Sequence, residues 1–289
     1  MATNFDLVQG ELGLKAILRL PWSDRIEKEL QQIGVREIEL NQAKGWSGVS
    51  LDFLERFPEL HGLEVLDLRI KDVYGIHHLH ELKRLTIFTY CKTRIDFSVF
   101  ACLESLSLEW RSGCKDLFSR RSLLSLFLNR YRARDTQDFA RLTSLSRLGL
   151  LNSSVKSLQG LSALSSLTRL RLGLLRGVEL LSGLEELVGL EELTIETCRK
   201  IRVIDELASC INLKMLALNN CGDIESLRPI RRLAQLERLF FVESTNILDG
   251  DLTPLLDLEH LRDVSYQNRR HYSHQREFFK DRFKQVRSG

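Results

Sequence analysis

The sequence predicts an α/β solenoid, in which each repeat gives one short strand to a parallel sheet and returns through a short 3₁₀ or helical segment. Three observations predict it. The apolar pattern L-x-x-L-x-L recurs through most of the 289 residues. Its spacing is regular: Leu190, Leu193 and Ile195 return as Leu213, Leu216 and Leu218, then as Leu236, Leu239 and Phe241, each set 23 residues after the last. Cys198 and Cys221, and likewise Ile201 and Ile224, repeat with the same period. A repeat length of roughly 20 to 50 residues means stacked units that bury their apolar rows against one another.

The array extends well beyond this stretch. Its first positions fall at Val35, Leu63, Leu82, Leu103, Leu123, Leu145, Leu167, Leu190, Leu213, Leu236 and Leu261. The sixth positions run from Leu40 and Leu68 to Phe241 and Tyr266. Successive strand residues face opposite sides, so positions four and six enter the core while three, five and seven point outward. About eleven strands between residues 35 and 268, each about 4.8 Å from the next, make a face roughly 50 Å long. Only about a dozen residues remain for each return, which suits a turn or two of 3₁₀ helix.

This unit resembles the leucine-rich-repeat family, and its short length resembles the internalin-like and phosphatase-regulator-like class. The resemblance implies a curved parallel sheet on the concave side and short 3₁₀ or helical segments on the convex side. It also implies a recognition scaffold; bacterial proteins of this kind include effectors and toxin-neutralising proteins. The family often places Asn at position nine. Here that position holds Lys71, Tyr90, Arg111, Tyr131, Ser153, Leu175, Cys198, Cys221 and Ser244, so the asparagine ladder is absent or displaced in the first half.

Residues 1–34 precede the array and read as an N-terminal helical cap. Ser23 is an N-cap candidate, Ile26, Leu30 and Ile33 keep helical spacing, and Gly34 ends the run. Residues 41–62 are the longest spacer, with a short helix over Leu51, Leu54 and Phe57 that stops before Pro58. Trp46 in this spacer is expected to pack the cap. Residues 269–289 read as a basic C-terminal cap, with Phe278, Phe279 and Phe283 on one helical face and Arg282, Lys284 and Arg287 among its cations. The whole is expected to be one structural domain.

Composition narrows the function. With 42 basic and 39 acidic residues the net charge is only +3, so bulk charge does not call for nucleic acid or an anionic membrane. No apolar run reaches about 18 residues, so no membrane span is expected. The N-terminus lacks a signal-peptide pattern, and six cysteines without CxxC spacing suggest free thiols in a reducing cytoplasm. No phosphate loop, nucleophile elbow or zinc-protease helix appears, so no enzyme, cofactor, metal or small-molecule substrate is expected. His271 and His274 share a helical spacing but lack a third ligand, so a structural cap is the default. Gly250 between Asp249 and Asp251 reads as a turn.

The outward columns carry the functional signal. Arg84, Phe88, Trp110, Phe127 and Arg130 come from the middle repeats. Arg147, Arg169 and Arg171 follow, then Glu192 and Glu196, then Met215 and Phe240. The same register places Glu37, Glu39, Val65 and Asp67 outward. Clustered outward aromatics mark binding patches, and aromatic residues and Arg are enriched at interface hot spots. The expectation is a scaffold that binds another protein on its concave face. The alternative is nucleic acid, held by the arginine column, the Asn129–Asp135 loop and the basic C-terminus.

Overall fold

Each repeat strand sets two apolar side chains into the core and turns their neighbours out. In the computed structural model, which describes residues 4–281, Leu85 and Ile87 form one such fully buried pair and Leu193 and Ile195 another. The chain divides into two compact units, Met1–Leu128 and Asn129–Gly289.

In the first unit the strands are β1 (Phe5–Gln9), β2 (Leu14–Leu18), β3 (Glu37–Asn41), β4 (Gly62–Leu66), β5 (Arg84–Phe88), β6 (Ser105–Glu109) and β7 (Ser125–Asn129, whose last residue falls in the second unit). They lie side by side in chain order. From β2 to β6 each pairs in parallel with the next. The returns are 3₁₀ segments at Asp52–Arg56, Tyr74–His78, Phe97–Val99 and Ser112–Ser119.

Residues 1–34 are not helical throughout. β1 and β2 form an antiparallel hairpin, and β2 continues the parallel ladder onto β3. Helix α1 (Asp24–Ile33) follows, with the Ser23 side chain accepting the Ile26 N–H and Gly34 left-handed at its end. Ile26 and Leu30 are its buried face. Trp46 is buried, and its ring packs 6.2 Å from that of Phe53.

The register of β4 differs from the expectation. Ile38 pairs with Leu63 and Leu40 with Val65, so the repeat begins at Leu60 and not Leu63. Val65 is fully buried and Leu68 is exposed, the reverse of the sequence assignment. Two leucine registers compete in this segment. The one adopted places Val65 and the hydrogen-bonded Leu60 turn in line with the neighbouring repeats, which keeps the rows stacked. Asp67 is thereby withdrawn from the outward face and holds Arg69 through both carboxylate oxygens, at 2.9 and 2.6 Å.

In the second unit the strands are β8 (Arg147–Leu151), β9 (Arg169–Gly173), β10 (Glu192–Glu196), β11 (Met215–Asn219), β12 (Asp223–Ile224), β13 (Arg238–Phe241), β14 (Asn246–Ile247) and β15 (Asp263–Tyr266). β8, β9, β10, β11, β13 and β15 pair in that order, in parallel, while β12 and β14 form a separate two-stranded ladder. The returns are 3₁₀ segments such as Gln159–Ala163, Asp205–Ser209 and Arg228–Arg232.

Six successive repeats turn through a left-handed residue at position eight: Arg130, Asn152, Leu174, Thr197, Asn220 and Glu243, with φ between 51 and 60°. The N–H of each of the first five donates to a carbonyl of the next repeat. One position on, short side chains take the place of the asparagine ladder. The Ser153 hydroxyl donates to Tyr131 O at 2.8 Å, and the Cys221 thiol reaches Ile195 O at 3.4 Å. In the last such turn Thr245, not Ser244, donates to Leu218 O at 2.6 Å.

Aromatic rings close the end of this unit. Phe241 and Tyr266 stack at 4.6 Å, and the Tyr272 hydroxyl accepts the Ile247 N–H at 3.0 Å. Residues 276–281 are helical; Phe279 is buried and Phe278 exposed. Phe283, Arg282, Lys284 and Arg287 lie outside the described residues. Gly250 has φ +66°, and a Cβ there would meet the His271 carbonyl oxygen at 2.2 Å. Among the described residues no helix is long and apolar enough to cross a membrane.

Candidate functional site

The outward strand face differs in character between the two units. In the first, it begins with charge. Lys15 sits between Glu39 (2.9 Å) and Glu64 (2.8 Å), and Glu39 also meets Lys44 at 2.7 Å. Burial pushes the Glu39 carboxyl up, but hydrogen bonds from Lys44, Asn41 and Lys15 outweigh it and hold the group at about 2. Glu37 accepts the Leu12 N–H at 2.7 Å, in the turn between β1 and β2. Glu37 and Glu39 are therefore buried although their register points outward. The hairpin is what covers them, and the sequence reading had no hairpin.

Arg84 pairs with Glu11 in the same turn. Beyond it the face becomes aromatic. Phe88 on β5 and Phe127 on β7 are half-buried, with ring centroids 6.1 Å apart. The intervening β6 presents Ser105, Ser107 and the buried Glu109 on this side, and the small Ser107 leaves room for the rings to meet. Trp110 packs on the buried Phe118 at 6.0 Å.

In the second unit the arginines form a column on adjacent strands. Arg147 pairs in register with Arg169, and Arg169 with Glu192; Arg171 and Thr194 are likewise opposite. Arg147, Arg169 and Arg171 are all exposed. Arg171 meets Glu196 at 3.0 Å and Arg169 meets Glu192 at 3.5 Å. Arg147 makes no ion pair or hydrogen bond among the described residues. Glu192 also lies 3.7 Å from Arg238, two strands away, so the carboxylate is shared across the intervening Met215. Met215 and Phe240 are half-buried, and Ala217 beside them is almost fully buried.

The sequence places Arg238, Ala217 and Val242 in the outward columns but not among the expected binding residues; Arg238 and Ala217 join this surface. All three stand in the outward columns, so the register itself was the available signal. Arg130 is half-buried in its left-handed turn. The rest of the Asn129–Asp135 loop divides: Tyr131 is buried against Phe139, while Arg132 and Arg134 are exposed.

Three of the histidines make contacts within the fold. His271 Nε2 lies 2.9 Å from Ile247 O, and His274 packs on Phe278 at 4.6 Å. His77 accepts the Asp96 N–H at its Nε2 and bonds Tyr74 O through Nδ1. Among the described residues no group of three or more His, Cys, Asp or Glu could hold a metal ion.

No family model matches the sequence, and no curated protein matches it. Solved structures do match. An internalin (inlF) from Listeria monocytogenes aligns at TM-score 0.56 and 18% identity, over 80% of each chain. A leucine-rich-repeat protein from Leptospira interrogans aligns at TM-score 0.47 and 16% identity, over 82% of this chain and 74% of that one. A plant peptide hormone receptor, RGFR1, solved in complex with RGF2, aligns at TM-score 0.52 and 13% identity over 91% of this chain. That alignment spans 52% of the receptor, about half its length. At such identities the shared property is the fold. With its parallel one-strand repeats, 3₁₀ returns and L-x-x-L-x-L rows, the chain has the fold of a leucine-rich-repeat protein.

Proposed function

We propose that the chain is a non-enzymatic scaffold that binds a partner protein on its outward strand face. One observation carries the reading: the second unit presents Arg147, Arg169 and Arg171 exposed on adjacent strands beside half-buried Met215 and Phe240. Arginine next to accessible apolar area is the composition of an interface centre. Arg147 supplies an uncommitted charge for a partner carboxylate. Arg169 and Arg171 are exposed and held by half-buried glutamates, and such solvent-screened pairs contribute little, so they exchange partners at small cost. Phe88 and Phe127 in the first unit offer a second apolar anchor.

The nucleic-acid alternative fits less well. Glu192 and Glu196 stand among the arginines and would repel phosphates. Binding through phosphates also falls steeply with salt, whereas apolar anchoring does not. A partner of the toxin or effector-target kind suits the family resemblance, and its identity rests on capture.

The test is binding measured with Arg147→Glu and Arg171→Glu together. Loss of partner binding with an unchanged melting temperature is the expected result. Undiminished binding by the folded variant would overturn the reading.

A further inference from the structure

Arg111, in the first unit, is a buried guanidinium without a carboxylate. Its residue is 8% exposed, and it forms no ion pair among the described residues. Nη1 lies 2.9 Å from Cys91 Sγ, and Nη2 lies 3.1 Å from Thr89 Oγ1 and 3.5 Å from Thr89 O. Nε is buried with no partner. Thr89 Oγ1 is itself 3.1 Å from Cys91 Sγ. A buried cation left uncompensated is strongly unfavourable. Among the groups that Arg111 touches, only the Cys91 sulfur can become an anion.

Cys91 is also reachable, being half-buried while Cys114, Cys198, Cys210 and Cys221 are buried. Burial pushes Cys198 and Cys210 up to about 11, and Cys114 and Cys221 up to about 12, so these four stay protonated and silent. Cys102 is exposed and has no hydrogen-bond or ionic partner among the described residues. The chain thus contains its own reference thiol.

We propose that Cys91 is the nucleophilic, modifiable thiol of this protein, activated by Arg111 and Thr89 toward soft electrophiles and peroxides. The thiolate is the reacting form of cysteine, and a neighbouring guanidinium favours it. With an alkyl iodide the sulfur forms a bond to carbon, the carbon–iodine bond breaks and iodide leaves. With hydrogen peroxide the sulfur attacks one oxygen, the O–O bond breaks and hydroxide leaves. The sulfur is oxidised to a sulfenic acid and the peroxide is reduced. Arg111 neutralises the anionic sulfur before the attack, and the Thr89 hydroxyl donates to it. Cys114 lies within electrostatic reach of both Arg111 and Cys91 and stays neutral; it also feels Asp116, whose carboxylate accepts the Phe97 N–H at 2.9 Å. This inference does not depend on the strand-face reading.

The experiment is pulsed labelling of the folded, full chain with iodoacetamide at pH 7, read by peptide mass spectrometry. Cys91 is expected to label about tenfold faster than Cys102, because the Arg111 guanidinium 2.9 Å away offsets the charge on its attacking sulfur. Arg111→Gln should bring Cys91 down to the Cys102 rate. If Cys91 labels no faster than Cys102, or keeps its rate in a folded Arg111→Gln variant, the proposal is wrong. Should that variant not fold, the wild-type rates decide: equal labelling of the two cysteines overturns the proposal.

Discussion

Arg171 on β9 donates from Nη2 to the Glu196 carboxylate on β10 at 3.0 Å, with both side chains about half exposed to solvent. Exposed ion pairs of this kind contribute roughly 0–1 kcal/mol. Arg171→Glu should therefore shift unfolding free energy by less than about 1 kcal/mol, as measured in urea. The same change reverses a charge at the centre of the proposed interface. A large stability loss in Arg171→Glu would show that the column is structural.

Leu193 makes the opposite case. It is fully buried on β10, in register between Leu170 and Leu216. Leu193→Asp removes apolar contacts and buries a carboxylate with no partner, costing at least about 4 kcal/mol. Hydrogen exchange should find lost protection across β9, β10 and β11, because each repeat is stabilised by its neighbours. Native-like protection in those strands would contradict the packing described.

Glu39 gives the first unit an acid-sensitive contact. Its folded carboxyl lies at about 2, below the ordinary value of 4.5, because its hydrogen bonds to Lys44, Asn41 and Lys15 outweigh burial. The stabilisation is thus fully present above pH 4.5 and is lost as pH falls through 4.5 toward 2. Thermal melts of wild type and Glu39→Gln should converge across that window. A constant gap between the two curves would rule out the linkage.

The left-handed turns permit stabilisation. Leu174 sits at φ 55°, while two of the equivalent positions are Asn152 and Asn220. Asn tolerates this conformation better than residues with bulkier side chains. Leu174→Asn should raise stability by about 0.5–1 kcal/mol, and Asn152→Val should lower it by about 1–2 kcal/mol. Melting temperatures that move the other way would show that side-chain packing outweighs backbone strain here.

The repeats from Leu145 to Phe241 were legible because leucine occupies nearly every row position at even spacing. Around Leu60 the signal failed because two leucine sets overlap, and Val65 was the less obvious core residue. The β1–β2 hairpin escaped because Leu7 and Val8 are only partly buried and carry no repeat pattern. That omission propagated to the site, since the hairpin turn holds Glu37 and Lys15 on β2 holds Glu39. The arginine column was readable from register alone. The Arg111–Cys91 contact was not, because the two residues are 20 apart in sequence and meet only through the stacking of adjacent repeats.

The central claim is that a protein binds the outward strand face. Its most direct test is affinity capture from a lysate of the source cells, with nuclease added, followed by titration of the purified partner. Three baits are compared: wild type, Arg147→Glu with Arg171→Glu, and Arg232→Glu in the Arg228–Arg232 return segment. The account predicts one protein bound by wild type and Arg232→Glu, with at least tenfold weaker binding to the strand-face variant and modest dependence on salt. Equal affinity for all three baits, or capture that vanishes with nuclease, would contradict it.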